Sequence, residues 1–362
     1  MRVRLQPSLV IQGIDNQLNL VDPINNLSYP KESFSQHPFL TFLAGCTEWR
    51  ELALVESELQ SFFSAEIKER DQTIPYLVEV GLLQDDRAIE TDYALNFQAQ
   101  WDRYGWEEPF LLHWHTNVHP KLNYSSDGEW QDREKMRKIV AEEPVPSNYK
   151  EITTTTSVLL KKRTRVTESL SIQQVFQRSV ATSAPDLLFD FDNLSSFIQL
   201  SFGQTFVREL HVTGEHVAKT SPSGGSRHPI EIYPIVLEVD GLSQGAYHYN
   251  VKQHRLDLVS DGNYLPFIQQ EIIRHPDLPG FVPKVVFVFS CLFERSMYRY
   301  RDARSYRVMQ HDLGHLMQTA AMVASATKWG SYRGYSLNEK AVEKLLGIDG
   351  ISESSFAFCV IG

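Results

Sequence analysis

This chain of 362 residues has few cysteines, no excess of positive charge and no long apolar run, and each of these absences excludes a class of protein. Cys46, Cys291 and Cys359 are too few and too widely spaced for a disulfide framework or a cysteine zinc site. Acidic residues outnumber basic ones by 45 to 35, and the resulting net charge of −10 argues against nucleic-acid binding. No apolar run approaches the roughly 18 residues of a membrane span, and the N-terminus lacks the apolar core of a signal peptide. These absences predict a cytoplasmic protein with no membrane partner.

The composition that remains is that of a globular protein with more than one core. Hydrophobic residues make up 42% of the chain and charged residues 22%, as in globular domains. A chain of this length ordinarily divides into two domains. A stretch rich in proline and threonine, from residue 144 to residue 157, is the natural boundary. We therefore predict domains at 1–150 and 151–362.

The first predicted domain contains short amphipathic segments between residues 48 and 83. Their apolar residues recur at helical spacing, and the run closes on Gly81-Leu82-Leu83. Short helices of this kind are typical of a small winged-helix-like unit. Because the chain is acidic, we expect this unit to bind a peptide or a protein partner rather than DNA.

Three histidines near the end of this domain invite a metal interpretation. His113, His115 and His119 lie in a stretch rich in aromatic residues. If residues 110–115 form a strand, His113 and His115 lie on one face. No carboxylate pair or cysteine follows at ligand spacing, which favours surface or interface histidines over a metal site.

The second predicted domain mixes strands and helices. Five apolar runs predict strands, at residues 230–239, 246–250, 255–259, 284–291 and 355–361. Helices are predicted at 169–180 and 194–202, with a long one at 305–327 whose apolar residues recur every three or four positions.

Residues 221–229 read Ser-Pro-Ser-Gly-Gly-Ser-Arg-His-Pro and stand directly before the first of these strands. Gly224 and Gly225 permit a left-handed backbone and remove side chains that would keep a ligand from the main chain. Ser223, Arg227 and the backbone N–H groups can donate hydrogen bonds to a flat polar ring or a phosphate. Such a cluster is also typical of an ordinary connecting loop, so this stretch alone supports both interpretations.

Two other segments are unusually basic. Residues 161–165 read Lys-Lys-Arg-Thr-Arg, and arginine forks match the geometry of phosphate. Residues 297–307 carry four arginines and three tyrosines. Either segment could instead be a charged face in contact with solvent.

The residues His311-Asp312-Leu-Gly314-His315 imitate a zinc peptidase motif, His-Glu-x-x-His. Asp312 is shorter than the required glutamate, and Gly314 weakens the helix that must hold both histidines. We find no third ligand nearby in the sequence. A zinc hydrolase is therefore the least favoured alternative, and we predict no metal.

Taken in order, several of these segments resemble a known family, the flavin-dependent SagB/ThcOx and McbC peptide-azoline oxidases of the nitroreductase superfamily. The resemblance covers residues 155–362. Within the family, the chain is most similar to the subgroup described as peptide maturation dehydrogenases. The resemblance is carried by residues 163–165, 222–229, 245–249, 298–307 and 312–315.

This resemblance implies an α+β, nitroreductase-like FMN-binding fold, with a central, mostly antiparallel sheet and flanking helices. It also implies a homodimer with flavin at the subunit interface. The residues implied to hold FMN are Arg163, Thr164 and Arg165 at the phosphate or ribityl chain, and Ser223, Gly224, Gly225 and Arg227 near the isoalloxazine ring.

In the azoline-oxidising members a Lys-Tyr pair is the expected catalytic element, and the matching residues here are Arg299 and Tyr300. Arginine cannot accept a proton at ordinary pH, whereas lysine can. This departure leaves three interpretations: Tyr300 acts as the base, Arg299 only orients the substrate, or the chain has another substrate.

The leading hypothesis is thus an FMN-dependent dehydrogenase that oxidises azolines to azoles in a ribosomally made peptide, working beside a cyclodehydratase partner. One alternative is a generic NAD(P)H-dependent flavin nitroreductase. Another is a scaffold subunit that binds the leader peptide without catalysis.

Overall fold

The computed structural model divides into two compact units, Met1–Lys121 and Leu122–Gly362. It describes residues 1–6, 9–14, 17–22, 27–29, 37–62, 70–86, 100–116, 126–162, 170–177, 189–210, 212–275 and 277–362. The division falls after Lys121, so the segment 126–150 groups with the second unit although it precedes the predicted boundary. The assignment of separate functions to the two predicted domains stays a prediction.

The first unit contains small antiparallel sheets and short helices. Its strands are β1 (Arg2–Leu5), β2 (Val10–Ile14), β3 (Gln17–Asp22), β4 (Leu27–Tyr29), β5 (Arg50–Glu51) and β6 (Leu83–Asp85), and its helices are α1 (His37–Gly45), α2 (Leu52–Phe62), α3 (Arg70–Glu79) and α4 (Glu107–His115). Strand β1 pairs with both β5 and β6, and β3 pairs with both β2 and β4. On α2, Val55 and Leu59 are buried four residues apart and so form one apolar face. The winged-helix assignment of this unit stays a prediction.

The suggestion that residues 110–115 form a strand is wrong, because these residues belong to helix α4. The premise that would have put His113 and His115 on one face of a strand is therefore absent. The ring of His113 packs against Trp101, with centroids 5.3 Å apart. His119 lies outside the described residues.

The second unit is built on one large sheet. Its strands are β7 (Ser157–Leu159), β8 (Gln204–Leu210), β9 (Gly214–Lys219), β10 (Ile230–Val236), β11 (Gly245–Asn250), β12 (Arg255–Asp261), β13 (Val285–Leu292), β14 (Ser331–Gly334) and β15 (Glu353–Ile361). Its helices are α5 (Gly128–Glu142), α6 (Ile172–Gln177), α7 (Phe191–Phe202), α8 (Leu265–Phe267), α9 (Glu294–Met297), α10 (Ser305–Ala326) and α11 (Glu339–Leu346).

Seven of these strands form an antiparallel sheet in the order β14-β15-β13-β10-β11-β12-β7. Helices cover both faces of its centre, and the side chains of each strand alternate between the two faces. On β13, Phe287 and Phe289 pack towards α7 and α10, whereas Val286 and Val288 pack towards α11 and the π-helix at Ile268–Ile272. The continuous apolar runs of the sequence therefore correspond to doubly buried strands. The predicted α+β fold with a central antiparallel sheet and flanking helices is confirmed.

Helix α10 follows its prediction closely. It spans Ser305–Ala326, against a predicted 305–327, and its apolar stripe is buried at Met309, Leu313, Leu316, Met317, Ala320 and Ala324. His311 and His315 lie on its exposed side. The described ranges contain no group of three or more His, Cys, Asp or Glu side chains placed to hold a metal ion.

Every helix in the described part of the chain is too short or too polar to cross a membrane.

Candidate active site

The loop before β10 has an unusual backbone. Gly225, Ser226 and His228 have φ angles of 60°, 53° and 46°, so three of four successive residues are left-handed. A non-glycine residue in this region costs about 1–3 kcal/mol and persists only where its surroundings hold it. The loop is therefore fixed by contacts from elsewhere in the fold.

Asp312, on α10, supplies those contacts. Ser223 Oγ donates to Asp312 Oδ2 at 2.6 Å, and the N–H of Gly224 donates to Oδ1 at 3.0 Å. The N–H of His228 in turn donates to Ser223 Oγ at 2.8 Å. Asp312 is buried, and burial raises the pKa of its carboxyl group above the ordinary value. The Asp-x-Gly-His segment thus contributes a clamp for the loop, a role that the sequence does not reveal.

Two glycines allow the loop to lie directly against neighbouring side chains. A Cβ atom on Gly224 would collide with Val308 of α10, and one on Gly225 would collide with the hydroxyl of Tyr300. The structure therefore brings Tyr300, a predicted catalytic residue, against the loop that was predicted to approach the flavin ring. The catalytic and cofactor roles of these residues stay predictions.

Tyr300, Gly225 and Arg227 border a cavity of about 430 Å³. Its wall comes from α5, from the β8–β9 hairpin, from the loop and from the segment after α9. The lining residues are Asp132, Arg133, Met136, Arg137, Arg208, Leu210, Val212, Thr213, His216, Gly225, Arg227, Arg299 and Tyr300. The hairpin and α5 were not assigned to the site from the sequence.

Arg227 and His216 form the buried floor of this cavity. Arg227 Nε donates to the carbonyl of Gly225 at 3.0 Å, and its Nη2 lies 2.8 Å from His216 Nε2. Thr213 Oγ1 lies 2.7 Å from the same ring nitrogen. Burial, reinforced by the Arg227 guanidinium, lowers the pKa of His216 to about 4. His216 is therefore neutral at physiological pH, and Arg227 supplies the positive charge.

Arg299 is held by an acidic partner rather than presented alone. Its Nη2 donates to Asp132 Oδ2 at 2.6 Å, and its guanidinium carbon lies 5.0 Å from the ring centroid of Tyr300. A second ion pair, from Arg301 to Glu143 at 2.6 Å, joins the same segment to the end of α5. Arg299 thus connects α5 to Tyr300 and stacks on its ring.

A buried ionic cluster supports the other end of the loop. Arg295 Nη1 donates to the carbonyl of His228 at 3.0 Å, and the same nitrogen pairs with Glu231. His248 Nε2 lies 2.7 Å from Glu231. Burial raises the pKa of Glu231, but Arg295 and His248 outweigh it and leave that pKa below its usual range. The loop is therefore held at both ends, by Asp312 and by Arg295.

The remaining predicted site residues, Arg163, Thr164 and Arg165, lie outside the described residues. Their assignment to the FMN phosphate stays a prediction.

Residues 210–362, which contain the loop, the cavity floor and α10, match the nitroreductase family. The chain contains a nitroreductase-family domain. The antiparallel sheet and its helices are accordingly those of an oxidoreductase family, as the sequence resemblance predicted.

The nitroreductase-family chain also has relatives of known name. It is 34% identical over 248 residues to the trifolitoxin-processing protein TfxB of Rhizobium leguminosarum bv. trifolii, covering 66% of each chain. It is 32% identical over 133 residues to the trifolitoxin-processing protein TfxF of the same organism, covering 36% of this chain and 42% of the relative. The matches thus span no more than about two thirds of either relative.

Among solved structures, the E. coli microcin synthetase McbBCD complex with truncated pro-MccB17 contains a similar chain. The TM-score is 0.41 and the identity 18%, over 66% of this chain and 97% of that one. Neither value bears on function.

Proposed function

We propose that this protein is an FMN-dependent dehydrogenase that oxidises azoline rings to azoles in a ribosomally made peptide, with oxygen as the final oxidant. The observation that carries the proposal is the contact between Tyr300 and Gly225. It places the residue expected to transfer a proton against the loop expected to approach the flavin, within a nitroreductase-family domain.

The loop has the properties that a flat polar ring requires. Gly225 and Tyr300 border the same cavity, and the absence of a side chain at Gly225 leaves room for the Tyr300 hydroxyl against the main chain of the loop. Ser223, Gly224, Gly225 and Arg227 would border the ring, and Arg163, Thr164 and Arg165 would hold the phosphate. When bound, FMN supplies the two-electron acceptor that a dehydrogenation requires.

Four side chains of the cavity wall are candidates for moving the proton, and three of them are poorly suited to it. Asp132 is committed to its ion pair with Arg299. Arg299 remains protonated at any ordinary pH. His216, with a pKa of about 4, binds a proton too weakly near neutrality. Tyr300 is the remaining candidate, and Arg299 positions its ring through the stacking contact.

A peptide as substrate is supported by the resemblance to the peptide-azoline oxidases and by two relatives named for the processing of trifolitoxin. On the same grounds we propose a homodimer, a peptide-binding role for the first unit and a cyclodehydratase partner. A cytoplasmic location is part of this proposal.

The cofactor is tested first, on the purified protein. We expect a flavin absorbance spectrum and about one FMN per chain after heat release. Protein that neither contains flavin nor binds added FMN would contradict the proposal.

The reaction is tested next, on a synthetic peptide that carries one thiazoline ring. We expect loss of two hydrogen atoms from the peptide, detected by mass spectrometry, with consumption of oxygen. Rapid reduction of the flavin by NADPH without any change in the peptide would instead identify a generic nitroreductase. Peptide binding without turnover would identify a scaffold subunit.

A further inference from the structure

The charge of the cavity is opposite to that of the whole molecule. The chain has a net charge of −10. Five arginines nevertheless border the cavity and only one carboxylate, Asp132, opposes them, while His216 is neutral. A concentration of one sign of charge in a concave site attracts ligands of the other sign. The cavity is therefore built for an anion.

Three of the five arginines are available to such a ligand. The side chain of Arg208, exposed on β8, makes no hydrogen bond or ion pair with any residue that the structure describes. Among the described residues, Arg133 pairs with Glu129 and Arg137 with Glu134 on the surface of α5, and the two arginine side chains are 61% and 52% exposed. Exposed helix pairs of this kind are weak, so both guanidinium groups can turn to a ligand.

The other two arginines are committed to the protein. Arg227 is buried and bonded to the carbonyl of Gly225, and Arg299 is paired with Asp132. Both lie on the side of the cavity next to Tyr300. Arg208, Arg133 and Arg137 thus border the same cavity as the candidate proton-transferring residue, Tyr300.

Apolar side chains stand among the arginines. Met136, Leu210 and Val212 line the same cavity. Guanidinium groups beside apolar surface suit a carboxylate on a short aliphatic stem, because the guanidinium N–H groups donate to the two carboxylate oxygens and the apolar groups contact the stem. A peptide with a glutamate or aspartate side chain has this chemistry.

We propose that this cavity selects peptides in which an acidic residue is close to the residue that is oxidised, and that Arg208, Arg133 and Arg137 bind its carboxylate. This inference rests on the proposed peptide substrate and adds its specificity. Arg208 is the most informative residue, since it has no partner of its own among the described residues.

The test uses the purified protein with whatever flavin it contains, and two hexapeptides blocked at both ends. One is Gly-Gly-Glu-Ser-Gly-Gly, and the other has glutamine in place of glutamate. Binding is measured by isothermal titration calorimetry at low and high salt. We expect the glutamate peptide to bind about ten times more tightly at low salt, because a charge-assisted bond replaces a neutral one. High salt should reduce this preference.

The variant Arg208→Gln should remove most of the preference and leave the flavin content unchanged. The matched control is Arg274→Gln, an exposed arginine that lines a different cavity and should bind as the parent does. Equal affinity for the two peptides in the parent protein would overturn the inference.

Two further outcomes would also overturn it. A fall in flavin content in Arg208→Gln would assign these arginines to the cofactor, and displacement of the glutamate peptide by low concentrations of NADP⁺ would assign them to a dinucleotide. Binding is measured without turnover, so the two proposals can fail separately. If the protein contained no flavin but still preferred the glutamate peptide, the oxidoreductase proposal would be contradicted and the inference about the cavity would stand.

Discussion

The hydroxyl of Tyr300 occupies the space that a side chain at position 225 would need, and this single contact joins the two halves of the candidate site. The sequence suggested each half separately, since glycines favour close approach and tyrosine can transfer a proton. It could not show that the two meet, because the residues are 75 positions apart in the chain. At the residue scale, therefore, the sequence could suggest candidate residues, but their proximity became visible only in the fold.

Replacing Tyr300 by phenylalanine should lower the rate of peptide oxidation by about a hundredfold or more, the usual effect of removing a proton-transferring group. Flavin content should be unchanged because the ring still packs on Gly225. The control is Tyr335→Phe, whose side chain is 66% exposed. Steady-state oxygen consumption measures both variants, and undiminished turnover in Tyr300→Phe would exclude Tyr300 as the base.

His228 in the loop and His216 beside it should make folding stability depend on pH. Burial lowers the pKa of His216 to about 4 and that of His228 to about 3, from an ordinary value near 6.5. In the unfolded chain both bind protons as the pH falls below about 6.5, whereas in the native protein they do not. The free energy of unfolding should therefore decrease between pH 7 and pH 5.

Urea denaturation at the two pH values measures this effect. The variant His216→Gln/His228→Asn should lose less stability over the same interval, and asparagine tolerates the left-handed backbone at position 228. The control is the exposed His275→Gln. An equal loss of unfolding free energy in the parent, the double variant and the control would show that other groups govern the pH dependence.

At the scale of elements, α10 serves both the core and the site. Its buried stripe packs on the sheet, and Asp312 at the edge of that stripe clamps the loop. The stripe was readable from helical spacing, but Asp312 looked like part of a failed zinc motif because its partner, Ser223, is 89 positions away. The β8–β9 hairpin was missed for a different reason. Most of β8 is exposed, so it has no apolar pattern to reveal it.

The loop and the helix allow a matched pair of glycine substitutions. Gly225→Ala should destabilise the protein by about 1–3 kcal/mol, because the residue is left-handed and the new methyl group collides with Tyr300. Gly314→Ala, in α10, meets no atom within 4 Å and should stabilise it by about 0.5–1 kcal/mol. Thermal unfolding measures both variants. If Gly225→Ala were as stable as the parent protein, the loop would have to move to make room for the methyl group.

At the scale of the whole molecule, the sheet was the most predictable part. Each of the five predicted strands coincides with an observed one to within a few residues, because apolar runs such as 284–291 are buried on both faces. The sequence was less informative about the division of the chain. The break at 144–157 is rich in proline and threonine, yet the helix before it joins the second unit, tied there by ion pairs such as Arg299–Asp132.

The two units can be tested as carriers of separate functions. A fragment of residues 122–362 should fold and bind FMN, because it contains the whole sheet and the candidate site. It should bind the peptide substrate more weakly than the full chain if the first unit is a peptide-binding module. Flavin titration and calorimetry measure the two properties, and unaltered peptide affinity would assign recognition to the second unit alone.

The clamp between Asp312 and the loop also sets an order of events when the chain is made. The segment 223–227 leaves the ribosome 89 residues before the carboxylate that fixes its shape. At about 5–20 residues per second, that interval is on the order of ten seconds. During this interval the nascent chain already contains Gly224, Gly225 and Arg227, but it lacks the Asp312 carboxylate that fixes the loop. Binding of the proposed FMN is therefore expected late in biogenesis, after the synthesis of α10.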